Sequence, residues 1–141
     1  MPEFSFFQGQ VVPTSEAKIS IRTHAFNYGT AVFEGIRGNW NDDSNQIFLF
    51  RLREHYERLV RSAQVLNIKI AYTVDEMCDI TTKLVAKCGF KEDIYIRPIA
   101  YKSSDIVGLR VHDLEDDFLI YVTPFGNYLE SDKGIRCCIA S

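Results

Sequence analysis

The sequence predicts an α+β fold: a mainly antiparallel sheet with two helices packed on one face. Three observations carry this. Strand-like runs occupy both ends of the chain, two stretches with helical period sit between them, and two of the strand pairs read as hairpins. The 141 residues are 46% hydrophobic and 25% charged, which suits one globular domain with a substantial core.

Residues 4–12 (FSFFQGQVV) read as two strands around a turn at Gln8-Gly9, and 18–21 (KISI) as a short strand. THAFNYG reads as a loop ending at Gly29. AVFEGIRGNW (31–40) is a strand interrupted by glycines, NDDSN turns the chain, and IFLF (47–50) returns it as a hairpin. The first helix is predicted from about Leu52 to Leu66, with Leu52, Tyr56, Leu59, Ala63 and Leu66 on one face. Glu54 with Arg58, and Glu57 with Arg61, have the i,i+4 spacing of acid–base pairs. The second helix opens on a capping box, Thr73 with Glu76, buries Met77, Ile80, Leu84 and Cys88, and ends at Gly89. DIYIRPIAYK (93–102) and FLIYVTPF (118–125) are two further strands, with an acidic loop at 112–117 between them. GIRCCIAS starts another strand and leaves an apolar face open, so the chain is expected to be the N-terminal part of a longer protein.

Composition narrows the function. Sixteen basic against nineteen acidic residues give a net charge of −3, which argues against a nucleic-acid binder led by phosphate attraction. No apolar stretch approaches the ~18–20 residues that span a bilayer, so no membrane partner is expected. The N-terminus lacks the basic-then-apolar order of a signal peptide. Cys78, Cys88, Cys137 and Cys138 match neither a zinc nor a CxxC spacing, so reduced cysteines in a cytoplasmic protein are expected. His24, His55 and His112 are scattered, and no metal site is expected.

Three places carry candidate chemistry. Alternation puts Tyr95, Arg97, Ile99 and Tyr101 on one side of a strand. A guanidinium beside tyrosyl hydroxyls can receive a carboxylate through its planar fork, or can form a structural ion pair with an acid elsewhere in the fold. Arg58 lies off the apolar stripe of its helix with His55 and Ser62, either lining an edge for a phosphate or paired with Glu54. Ala31, Phe33, Gly35 and Arg37 share a strand face. There a glycine between an aromatic residue and an arginine would let a ligand approach the backbone, or would mark a bulge.

HAFNYGTAVFEGIRG, FRLREHYERL, YIRP and PFGNYL, in this order and spacing, closely resemble the branched-chain amino acid aminotransferases. These belong to the fold type IV group of pyridoxal phosphate (PLP) enzymes. EGIR and YIRP favour them over the D-amino acid aminotransferases and aminodeoxychorismate lyases of the same group. The resemblance implies that Arg58 holds the cofactor phosphate. It implies that Tyr95 lies near the substrate α-carboxylate, and that Arg97, Tyr28 and Tyr128 receive the distal carboxylate of glutamate. Phe33, Gly35 and Phe125 would wall the side-chain pocket, and Tyr28 and the Gly108-Leu109 loop would reach the neighbouring subunit of a dimer. The implied reaction moves an amino group between leucine, isoleucine or valine and 2-oxoglutarate.

Such a reaction needs a lysine to form the Schiff base with PLP. The seven lysines, at 18, 69, 83, 87, 91, 102 and 133, match no family motif for it. In the resembling enzymes that lysine lies in a second domain. The expectation is therefore a small N-terminal domain over 1–132, the start of a connection over 133–141, a catalytic lysine beyond Ser141, and no turnover by the chain alone. A non-catalytic binding or dimerisation module is the alternative from another class.

Overall fold

The computed structural model describes residues 3–126 and 136–139. Seven strands form one sheet: β1 (Phe4–Phe7), β2 (Gln10–Pro13), β3 (Ala31–Phe33), β4 (Ile36–Asn41), β5 (Gln46–Leu49), β6 (Ile94–Lys102) and β7 (Asp116–Pro124). Three α-helices accompany them: α1 (His24–Tyr28), α2 (Leu52–Val65) and α3 (Val74–Cys88). The order across the sheet is β2-β1-β7-β6-β4-β5, with β3 also paired to β6, and every named pairing is antiparallel. This is the α+β class that the sequence predicts.

The longest ladder, β6 with β7, carries the fold. On β6, Ile94, Ile96, Pro98 and Ala100 point into the core, where Phe6, Ile36, Phe118, Ile120 and Val122 meet them. α2 and α3 cover that face through Tyr56, Leu59, Ala63, Met77, Leu84 and Cys88. Thr81, rather than Ile80, completes the buried side of α3. Its hydroxyl donates to the Met77 carbonyl at 2.8 Å and accepts from the Tyr56 hydroxyl of α2. A buried polar pair between the helices is thereby satisfied. α3 is capped as its sequence predicts, by the reciprocal Thr73–Glu76 box and by Gly89 at φ 67°.

β3 and β4 are one excursion along the edge of β6. Phe33 pairs with Ile99 and Ile36 with Ile96, so both ladders share a register that sets Gly35 opposite Arg97. The ladder breaks at Glu34-Gly35, although the Glu34 amide still donates to the Pro98 carbonyl at 3.1 Å. At the other end of β6, Lys102 is buried with its ammonium 2.8 Å from Asp116 and 2.6 Å from the Asn67 carbonyl.

Four expectations need correction. Residues 18–21 form no strand: no described residue pairs with them, and Ile19 and Ile21 stay exposed. THAFNYG is not a loop but contains α1, because the Asn27 amide donates to the carbonyls of Ile21 and Thr23 and closes the turn. Glu54 pairs with Arg51 at 2.9 Å, not with Arg58. Residues 136–139 carry no strand, and the predicted boundary at 132/133 lies outside the described residues. All four cysteines are free thiols. No helix among the described residues is long and apolar enough to cross a membrane.

Candidate functional site

α2 and α3 cover one side of the sheet, and on the other side Tyr95, Arg97, Ile99, Tyr121 and Thr123 are only partly buried by the described residues. Alternation delivers Phe33, Gly35 and Arg37 from β3–β4, Tyr95, Arg97 and Ile99 from β6, and Tyr121 and Thr123 from β7 to that face. Tyr121 stands directly opposite Arg97.

Arg97 is held by aromatic groups. Its guanidinium carbon lies 4.0 Å from the Phe33 ring centroid and 5.1 Å from that of Tyr95. Its Nε and Nη2 donate to the Tyr95 hydroxyl at 3.1 and 2.6 Å. It forms no ion pair with any described residue, so the structural ion pair left open by the sequence does not occur among them. The neighbouring Arg37 differs: it pairs with Asp93 at 3.3 Å, donates to the Gly126 carbonyl at 3.1 Å, and lies 5.8 Å from the Phe125 ring centroid. Of the two arginines on this face, Arg97 is the one whose charge no described carboxylate answers.

Gly35 explains how the tyrosine reaches the arginine. A Cβ built there would lie 2.5 Å from the Tyr95 hydroxyl oxygen, closer than atoms pack. The missing side chain makes room for Tyr95, not for a ligand against the backbone, as the glycine pattern suggested. Phe125 packs against Tyr95 at a 5.1 Å centroid distance, so Phe33, Arg97, Tyr95 and Phe125 form one connected group. Phe33 is 59% exposed and presents an apolar wall.

Arg58 projects from α2 with its side chain 59% exposed. Its partner is Glu34, 6% exposed at the break between β3 and β4. Nε and Nη2 donate to the two carboxylate oxygens at 2.5 Å each, and His55 Nδ1 lies 2.9 Å from Oε2. Burial pushes the Glu34 carboxyl up, but hydrogen bonds from Arg58 and His55, and their charges, bring it below the ordinary glutamate range. The fork fixes the guanidinium plane and leaves Nη1 clear of Glu34. Arg58 then lines a cleft of about 370 Å³ with Phe50, Arg51, Glu54, His55 and Arg61. Arg51 and Arg58 are each paired with a glutamate, Glu54 and Glu34, and Arg61 adds a further positive charge. The unused Nη1 of Arg58 and the Arg61 guanidinium are donors that fit a phosphate.

Tyr28 closes α1, half exposed, with its ring 4.6 Å from that of His24. Leu109 sits in the loop between β6 and β7 and is 87% exposed. Tyr128 lies outside the described residues. The structure therefore brings Phe33, Gly35, Tyr95, Arg97 and Phe125 into one group and gives Arg58 a separate cationic cleft. Sequence reasoning assigned no role to Glu34, yet a signal existed: alternation puts it on the core-facing parity with Val32 and Ile36, where a carboxylate needs a partner. A larger groove of about 580 Å³, between β5 and the C-terminal part of α3, shares no lining residue with either place.

The arginine unanswered among aromatic rings and the arginine-lined cleft on an adjoining helix are two separate places with the chemistry to receive an anionic group. Comparison with known proteins narrows this. The family model for amino-transferase class IV matches residues 31–141, and the chain belongs to that family. It is 43% identical over 139 residues to a probable branched-chain-amino-acid aminotransferase of Aquifex aeolicus, covering 99% of this chain and 45% of that protein. It is 40% identical over 138 residues to a probable counterpart in Synechocystis, covering 97% and 44%. Among solved structures, the branched-chain aminotransferase of Thermoproteus uzoniensis with norvaline superposes with a TM-score of 0.86 at 40% identity, over 92% of this chain and 43% of that one. The branched-chain amino acid aminotransferase of Thermobaculum terrenum in its PLP form gives 0.81 at 33% identity, over 89% and 41%. The chain spans less than half the length of these relatives.

Proposed function

We propose that this chain forms the substrate-receiving wall of a PLP-dependent aminotransferase. Its substrates are branched-chain L-amino acids, with glutamate and 2-oxoglutarate as the other pair. The observation that carries this reading is Arg97, open to the site side of the sheet and without a carboxylate partner among the described residues. In this reading Arg97, with Tyr28 and Tyr128, receives the distal carboxylate of glutamate, and Tyr95 lies near the α-carboxylate. Phe33, Gly35 and Phe125 shape the pocket that takes the branched side chain. One pocket can then serve both substrates, because the guanidinium answers a carboxylate while the ring faces around it cover apolar groups.

Arg58 would hold the cofactor phosphate, with Glu34 fixing its plane and Nη1 free to donate. When bound, PLP supplies the electron sink that lets an amino group pass between carbon skeletons. The lysine that would carry it is assigned here to residues outside this chain, since none of the seven lysines matches the family's motif. Exposed apolar residues on α1 and the β6–β7 loop, Phe26, Val107 and Leu109 among them, suit contact with a second copy in a homodimer.

The test is Arg97→Ala in the full-length enzyme. A charge-assisted hydrogen bond contributes ~1.5–3 kcal/mol. The KM for glutamate and 2-oxoglutarate should therefore rise at least about tenfold, while that for leucine changes less than about threefold. Equal losses for both substrate types would sink the role of Arg97. Absence of transamination by the wild-type enzyme would sink the reading as a whole.

A further inference from the structure

We infer that His24 is a positioning residue that holds Tyr28 and the segment 106–111 together as one body. The inference deepens the proposed function, which gives Tyr28 to the glutamate carboxylate and Leu109 to contact with a second copy.

The His24 ring is 1% exposed. Its Nε2 lies 2.9 Å from the Gly108 carbonyl oxygen, 84 positions away, and its Nδ1 lies 2.8 Å from the Thr30 hydroxyl. A carbonyl can only accept, so Nε2 donates. In the neutral ring Nδ1 must then accept, and the Thr30 hydroxyl donates to it and holds the proton on the Gly108 side. The same ring lies against that of Tyr28, tilted by 40° at a centroid distance of 4.6 Å. One imidazole thus contacts α1, the residue before β3, and the loop.

The loop has little else to order it. Its base is closed by the Ser103 amide on the Glu115 carbonyl (2.9 Å), the Glu115 amide on the Ser104 hydroxyl (2.7 Å) and the Thr23–Asp105 bridge. Beyond that base Ile106, Val107, Leu109 and Val111 are all exposed. Among the described residues, the bond from His24 is the hydrogen bond that ties residues 106–112 to another element. A segment with so little burial opens locally at low cost, so one internal tether has a large share in its order.

The experiment compares His24→Gln with His24→Asn in the full-length enzyme. The glutamine amide reaches about as far as Nε2 and can still donate to Gly108; the shorter asparagine reaches only as far as Nδ1. Hydrogen exchange of amides 106–111 in substrate-free protein should be about fivefold faster in the Asn variant, the factor that one net hydrogen bond carries, and close to wild type in the Gln variant. The KM for both substrate types should rise in the Asn variant and recover in the Gln variant, with kcat within about twofold throughout. Equal exchange in the two variants would overturn the tether. Faster exchange with unchanged KM would overturn its link to the site while leaving the transaminase reading intact.

Discussion

Burying a carboxylate costs folding free energy unless its charge is answered, and Glu34 is answered by Arg58 and His55 together. Its carboxyl is held below the ordinary glutamate value despite burial. A depressed folded-state value means the pairing stabilises fully above the unfolded value, about 4.3, and the benefit is lost as pH falls through the folded value. The difference in unfolding free energy between wild type and Glu34→Gln should therefore shrink as pH is lowered from about 5 to about 3. Urea denaturation across that window checks it; a constant difference would mean the carboxylate is not held ionised by these partners. At this scale the sequence was partly legible. Strand alternation alone puts Tyr95 and Arg97 on one face, and an arginine beside a tyrosine already suggests an anion receiver. The use of Gly35 was not legible, because the atom that fills its space belongs to Tyr95 on another strand.

Among the elements, length separates what could be read from what could not. α2 and α3 run 14 and 15 residues, long enough for an apolar stripe to repeat and for caps to mark the ends. α1 has five residues, too few for any period, and it exists because its own Asn27 and buried His24 bond to groups outside the helix. KISI fits a strand template yet finds no partner among the described residues, since strand formation requires a neighbour and not merely alternation. The packing of α3 on the sheet is testable through Leu84, which is fully buried. Leu84→Ala should cost about 3 kcal/mol, from lost transfer energy plus the cavity left behind. A loss under about 1 kcal/mol in urea denaturation would mean that α3 does not pack this way.

For the molecule as a whole, the prediction concerns the cofactor. Incubating the chain with PLP, reducing with borohydride and mapping pyridoxyl-lysine by peptide mass should find no stoichiometric label at any one lysine. Stoichiometric labelling of a single lysine would overturn the assignment of that residue to chain outside this sequence. Lys102, at the end of the site strand β6, is already committed to Asp116 and the Asn67 carbonyl. From the sequence alone come the α+β class, the two long helices, the apolar side of β6 and the motifs that mark the aminotransferase family, because periodicity, caps and motif spacing are properties of neighbouring positions. Tertiary structure alone decided the partners. Glu34 rather than Glu54 answers Arg58, Tyr95 takes the space over Gly35, no described acid reaches Arg97, and His24 binds a carbonyl 84 positions away. Those choices depend on the register of β3 and β4 against β6 and on where the β6–β7 loop comes to rest. Both are set by contacts between segments far apart in the chain, which no local pattern encodes.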